Sequence, residues 1–148
     1  MRSLAAFLDG ERADVAALAE IESGDALALA TRLNLGWAHR GNQALLWNQR
    51  FAAAHADDSQ RGILLVDGAC GGEPLLLALA RFTRDRARVT QLRALRSAIR
   101  QASGGVVLFC VRPPHGRVGF GDLGMRLVQT PGDELAIYSS SAGLLVER

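Results

Sequence analysis

Two short apolar runs, each preceded by glycine, constrain the fold more than any other feature of this sequence. One is the core of residues 62–68, GILLVDG, and the other is VVLFCV at 106–111. Apolar runs of this length without polar alternation are typical of central strands that are covered on both faces. Covering both faces requires further layers, so we predict an α/β (α+β) chain in which helices pack on a single mixed sheet.

A change of period between residues 33 and 53 predicts a β-hairpin. Apolar and polar side chains alternate up to Arg40, and Gly41 and Asn42 then supply residues that tolerate a tight turn. The return segment carries large apolar residues and reads as the partner strand. Because alanines are frequent within 43–56, a helix over that segment is the alternative.

The remaining elements follow from helical spacing and from turn residues. Pro74 stands where a helix would begin, which is the one helical position that accepts proline readily. An unbroken helix over 74–102 is the alternative to a helix, a strand and a second helix. The predicted elements are helices over 12–22, 26–32, 74–84 and 95–102, a strand over 87–94, and closing strands over 135–140 and 143–148.

Charge is distributed unevenly, and every basic side chain is an arginine, which excludes lysine chemistry. Residues 81–126 carry ten arginines and two acidic residues, whereas residues 1–80 carry six arginines and ten acidic residues. The sequence allows two interpretations, a solvated helix face or a patch that binds phosphate groups. We call the arginines that would form this face or patch the arginine stripe; they are Arg81, Arg84, Arg86, Arg88, Arg93, Arg96 and Arg100.

Composition excludes several classes of protein. No apolar run approaches the roughly 20 residues of a membrane helix, and the first residues do not resemble a signal peptide. Two cysteines are too few for a disulfide scaffold, and three scattered histidines lack the spacing of zinc ligands. We therefore expect one cytoplasmic domain over 1–148, with no metal site and no membrane partner.

The turn after the first apolar run is the best candidate for a binding site. If a strand, a glycine-rich turn and a helix start follow one another, free backbone N–H groups and the helix dipole attract an anion. Glycines let a phosphate approach the backbone closely. The candidate residues are Ala69, Cys70, Gly71, Gly72 and Glu73.

The layout of residues 12–112 resembles the GNAT (GCN5-related) acyltransferase superfamily, mostly in the order of its elements. In that superfamily helices precede a hairpin, and a helix N-terminus beside a splayed central strand holds the pyrophosphate of coenzyme A. The resemblance implies transfer of an acyl group from acyl-CoA or acetyl-CoA to an amine acceptor. The turn at 69–73 would hold the pyrophosphate, and Arg81 would contribute to phosphate binding. A degenerate member that has lost catalysis is an alternative.

Two side chains are candidates for deprotonating the acceptor amine. Asp67 ends the buried strand, and His39 lies on the inward alternation of the hairpin. Other functions remain open from the sequence: a phage or bacterial assembly protein that forms a homo-oligomer, or a nucleic-acid binder that uses the arginine stripe. The run ILLVDGACGG also resembles the first motif of SAM-dependent methyltransferases.

Overall fold

The computed structural model consists of two β-sheets that pack face to face, and each sheet has a helix on its outer face. It describes residues 2–3, 15–111, 123, 126–132 and 135–139. The described elements are β1 (Arg2–Ser3), β2 (Val15–Ala19), α1 (Ser23–Leu33), β3 (Gly36–Arg40), β4 (Gln43–Trp47), β5 (Phe51–Asp57), β6 (Ile63–Cys70), β7 (Glu73–Arg81), α2 (Ala87–Gln101), β8 (Gly105–Val111), β9 (Arg126–Gly132) and β10 (Leu135–Ser139).

The two sheets differ in size and in strand direction. The small sheet has the order β1-β2-β4-β3, and all of its described pairs are antiparallel. The large sheet has the order β5-β6-β7-β8-β10-β9, in which β7 and β8 pair in parallel. Parallel neighbours require a crossover connection, and α2 supplies it here.

The main core lies between the facing surfaces of the two sheets. Alternate residues of β4, Leu45 and Trp47, belong to the same buried cluster as Leu64 and Val66 of β6. The Trp47 ring meets the Phe51 ring edge-on, with 5.7 Å between the ring centroids. This period of two therefore decides which side chains point between the sheets and which point to the helices.

The outer face of each sheet is covered by its own helix. On the small sheet, Ala26 and Ala30 of α1 pack with Leu18 and Leu46. No helix of the described residues is both long enough and apolar enough to cross a membrane. The cluster between α2 and the large sheet contains Leu76, Ala78, Ala80, Leu95, Ile99, Val106 and Leu108.

Several predicted elements are confirmed. The mixed sheet with packed helices is present, although a second, smaller sheet accompanies it. The helix predicted over 26–32 lies within α1, and the hairpin turns at Gly41 and Asn42. Both apolar runs form buried strands, β6 and β8. The strand predicted at 135–140 is β10, whereas the one predicted at 143–148 lies outside the described residues.

The helix predicted over 12–22 is wrong, because residues 15–19 form β2 in the small sheet. All five residues of β2 are buried, since α1 covers one face and the large sheet covers the other. A strand enclosed in this way shows no polar alternation, so its short apolar sequence reads as a helix. The hairpin's return segment also divides: β4 stays in the small sheet and β5 begins the large one.

The largest correction concerns residues 73–102. The predicted helix 74–84 is the strand β7, and the predicted strand 87–94 is the first half of α2. The alternative of one helix over 74–102 is wrong for the same reason. Pro74 stands opposite Ala69 on β6, and pairing with β8 begins only at Leu75, so its missing N–H takes no bond from the β7–β8 ladder.

Candidate anion-binding groove

A groove of about 690 Å³ opens at the end of the sandwich where β3 and β7 finish and where β4 and β6 begin. We call it the arginine groove. Its sides come from both sheets, and the start of α2 contributes Gln91. The described residues that line it are Arg40, Gly41, Asn42, Gln43, Arg61, Gly62, Arg81, Phe82, Thr83, Arg84 and Gln91.

Strand alternation explains why polar side chains meet at this end. On β3, β4 and β7 the residues that face the other sheet are apolar within the core. One alternation step beyond the last of them stand Arg40, Gln43 and Arg81, on the same facing surfaces. The pattern that builds the core thus delivers two guanidinium groups and a carboxamide to the mouth between the sheets.

Four arginines give the groove its charge, and none of its described lining residues is acidic. Arg81 donates from Nη1 to Asn42 Oδ1 over 2.9 Å, a neutral partner, so no described carboxylate compensates the guanidinium charge. Arg40 lies 3.8 Å from Asp58 Oδ2, and that carboxylate is largely exposed, so the pair is screened by water. The groove therefore presents a net positive surface.

The buried side chain of Gln91 links backbone segments of the groove wall through hydrogen bonds. Its side chain is only 1% exposed. Its Nε2 donates to Arg61 O over 2.9 Å and to Arg81 O over 3.2 Å, while its Oε1 accepts from Thr83 N over 3.0 Å. One amide thus holds three backbone groups that flank arginines of the groove.

Gly62 makes that arrangement sterically feasible. Its φ is +76°, and a Cβ placed on it would lie 2.5 Å from Gln91 Nε2 and 2.7 Å from Arg81 O. Only glycine has both the conformational freedom and the space for this position. The backbone at Gly62, just before β6, therefore packs directly against the buried amide of Gln91.

Asp85 fixes the chain between Arg84 and α2. Its carboxylate accepts from Thr83 Oγ1 over 2.7 Å and from Ala87 N over 2.9 Å. These bonds, the Thr83 hydroxyl foremost, lower the pKa of Asp85 below its ordinary value, and the charge of Arg61 adds to the effect. The ionised carboxylate thereby holds the turn that leads from β7 into the helix.

The turn predicted to bind pyrophosphate lies at the opposite end of the sandwich. Gly71 and Gly72 form the tight turn of the β6–β7 hairpin, with φ of +60° and +82°. Ala69 and Cys70 precede that turn, and Glu73 follows it on β7. Since residues 73–81 form a strand, no helix starts at 74, and the helix N-terminus on which the predicted pyrophosphate site depends is absent.

The two side chains predicted as candidates for deprotonating an acceptor lie on different sheets. His39 lies on the outer face of the small sheet, where its Nε2 donates to Ile21 O over 2.8 Å. Asp67 lies on the outer face of the large sheet, exposed and opposite His55 on β5. The core between the sheets separates the two side chains. Of the predicted site residues, Arg81 alone lines the arginine groove.

Sequence reasoning missed most of the groove. Arg40, Arg61 and the two glutamines come from separate segments with no common spacing, so no local motif marks them. The signal that the sequence does carry is the position of Arg40 at the end of one predicted strand and of Arg61 just before the next. Within the described residues, no three His, Cys, Asp or Glu side chains lie close enough together to hold a metal ion.

No protein family model matches the chain, and no curated protein matches its sequence. Solved structures do resemble it. D. rerio TDP2 complexed with a single-stranded DNA product has a TM-score of 0.70 at 14% identity, over 95% of this chain and 76% of that one. The human Nocturnin catalytic domain with bound sulfate has a TM-score of 0.68 at 12% identity, over 88% and 70%.

A third similar structure is an endonuclease/exonuclease/phosphatase family protein from Leptotrichia buccalis C-1013-b. Its TM-score is 0.55 at 12% identity, over 93% of this chain and 80% of that one. Identities this low establish a shared fold and nothing finer. The chain therefore has the fold of TDP2, Nocturnin and the endonuclease/exonuclease/phosphatase protein.

These neighbours overturn the GNAT resemblance. The acyltransferase function, with acyl-CoA or acetyl-CoA as its cofactor, is wrong, because the fold is that of a different group of proteins. The element order is misleading because the strand β7 occupies the place of the pyrophosphate helix in the GNAT layout. The two alternative functions, an assembly protein and a nucleic-acid binder that uses the arginine stripe, gain no support from the comparisons.

Proposed function

We propose that the arginine groove binds the phosphate group of a phosphate ester. The observation that carries this proposal is the convergence of Arg40, Arg61, Arg81 and Arg84 on one groove whose described lining has no acidic side chain. Guanidinium groups bind phosphate oxygens through paired, charge-assisted hydrogen bonds. Positive charge around a concave surface also raises the local concentration of anions.

The ligands of two similar structures support a phosphate. One TDP2 structure holds a single-stranded DNA product, and the Nocturnin domain holds a sulfate anion. A DNA backbone is a phosphodiester, and sulfate is a tetrahedral anion of the same shape as phosphate. Both ligands present anionic oxygens of the kind that guanidinium groups bind.

The proposal is one of recognition. The described residues that line the groove include no His, Cys, Asp or Glu, the side chains that most often act as bases or nucleophiles. Thr83 carries a hydroxyl, but it donates to Asp85. The described part of the groove thus supplies positive charge and hydrogen-bond donors, and we assign it binding.

Titration calorimetry with phenyl phosphate at low salt tests the proposal directly. We expect saturable binding that weakens as salt is added, because exposed ion pairs are screened. Arg81→Gln should weaken binding by about tenfold, since a hydrogen bond to a charged group contributes about 1.5 kcal/mol or more.

The matched control is Arg50→Gln. Arg50 lines a separate groove at the opposite end, together with Cys70, Gly71 and Glu73. At about 0.1 M salt we expect its affinity for phenyl phosphate to stay within about twofold of the unmodified protein, because charges are screened there over about 10 Å. Absence of saturable binding, or equal losses in the two variants, would refute the proposed function.

Other expectations from the sequence stay predictions. These are the single domain over 1–148, the cytoplasmic location, a homo-oligomeric state and an amine-bearing partner. Catalytic roles for Asp67 and His39 are likewise untested. Their separation by the core means that any such roles would be performed at different sites.

A further inference from the structure

Gln43 presents an unused hydrogen-bond acceptor at the arginine groove. Its side chain is 3% exposed, and it lines the groove at the first position of β4. Its Nε2 donates to Gly62 O over 3.1 Å. That bond fixes the orientation of the amide, because two carbonyl oxygens cannot bond each other, and it leaves Oε1 without a partner.

The two other amides of the groove are already satisfied. Asn42 Oδ1 accepts from Arg81, and Gln91 Oε1 accepts from Thr83 N. Buried side-chain acceptors are rarely left without a donor, and an orphaned one calls for an explanation. Gln43 Oε1 is therefore a buried acceptor without a partner, beside a groove otherwise dominated by donors.

The surroundings of Gln43 limit where a donor can come from. Further along the same face of β4 stand Leu45 and Trp47, which are buried among apolar side chains. Its neighbours across the ladder are Ala19 on β2 and Arg40 on β3. Among these two core residues the one side-chain N–H, the indole of Trp47, lies against Gly36 at the far end of the strand, so a donor for Gln43 Oε1 comes from the groove side.

We infer that the phosphate ester recognised by the groove carries a hydroxyl group, which donates to Gln43 Oε1 while the arginines hold the phosphate. This inference rests on the proposed function and specifies its ligand class. An ammonium group would also be a donor, but four guanidinium charges around the groove disfavour a second cation. A neutral hydroxyl satisfies the acceptor without that repulsion.

Matched ligands provide the test on the unmodified protein. Affinities are measured by calorimetry for inorganic phosphate, for ethyl and propyl phosphate, and for three hydroxylated esters of increasing reach: 2-hydroxyethyl phosphate, glycerol 3-phosphate and ribose 5-phosphate. We expect at least one hydroxylated ester to bind about tenfold more tightly than the alkyl esters, the effect of one hydrogen bond to a buried acceptor.

Gln43→Met supplies the second measurement, because methionine has a similar length and no acceptor of comparable strength. The ratio of hydroxylated to alkyl affinity should fall to near one. In the control Gln101→Met, at the exposed far end of α2, the ratio should persist. If Gln43→Met does not fold, Gln43→Asn, which withdraws the amide by one methylene, takes its place.

The outcomes separate the two proposals. If inorganic phosphate and the esters all fail to bind, the proposed function is wrong. If they bind with no preference for any hydroxylated ester, the groove binds phosphate and the inference about Gln43 is wrong. A preference that survives in the Gln43 variant also overturns the inference, because the acceptor would then lie elsewhere.

Discussion

The two ends of the sandwich contain similar residues and differ in how those residues are packed. Each end has an arginine-containing groove and a glycine with positive φ, Gly62 at one end and Gly71 at the other. Gly62 is pressed against the buried amide of Gln91, whereas nothing lies within 4 Å of a Cβ built on Gly71. A glycine-rich turn alone therefore does not make a site; convergent side chains and buried polar partners do.

The largest effect should come from removing the amide that supports the groove end. Gln91→Leu leaves Arg61 O, Arg81 O and Thr83 N without their partners, so we expect a loss of about 3 kcal/mol in the free energy of unfolding. Gln101→Leu, at the other end of the same helix, should change it by no more than about 0.5 kcal/mol. Urea denaturation measures both, and equal losses would show that the ends are supported alike.

A smaller difference should separate the two glycines. Gly71→Ala forces a side chain into positive φ in open space, which costs about 1 kcal/mol. Gly62→Ala adds a steric conflict with Gln91 and Arg81, so we expect a loss of about 2 kcal/mol or more. Thermal or urea unfolding of the pair distinguishes them, and a larger loss in Gly71→Ala would reverse the comparison.

The smallest effect should be a change in the pH dependence of stability at the groove end. The pKa of Asp85 is lowered in the folded chain, so its ionised form stabilises the fold above the ordinary value of 3.8. That contribution is lost as pH falls through the lowered pKa. In Asp85→Asn the urea midpoint should therefore fall less steeply between about pH 5 and pH 2. An unchanged acid profile would contradict this role.

The local sequence pattern was enough to predict those strands and turns in which a single pattern determines the structure. Alternation on both sides of Gly41 and Asn42 identified the β3–β4 hairpin, and unbroken apolar runs identified β6 and β8. In these segments the period, the turn residues and the burial all favour the same structure. Because these three signals agree, the sequence alone predicts the structure of these segments.

Tertiary context decided the structure of β7 and α2. The leucines and alanines of 75–80 are good helix formers, yet β7 lies between β6 and β8 and is buried on both faces. Val89 and Thr90 are typical of strands but occupy the first turns of an arginine-rich helix. Burial outweighed propensity in β7, and a long amphipathic face outweighed it in α2.

The groove depended on information that no single segment holds. Arg81 was singled out from the sequence, but for a site at 69–73, at the other end of its own strand. Arg40 and Gln43 become its neighbours only when the small sheet packs on the large one. Predicting that meeting requires the pairing of sheets, which strand-by-strand periodicity does not encode.

Arg40 and Gln43 come from the small sheet, Arg81 comes from the large one, and Arg61 lies just before β6, so a bound ligand would link the two sheets. The native bonds from Gln43 to Gly62 and from Arg81 to Asn42 already bridge that seam. The two sheets could separate only after the bound ligand had dissociated. Tighter binding of that ligand would therefore raise the free energy of unfolding of the sandwich.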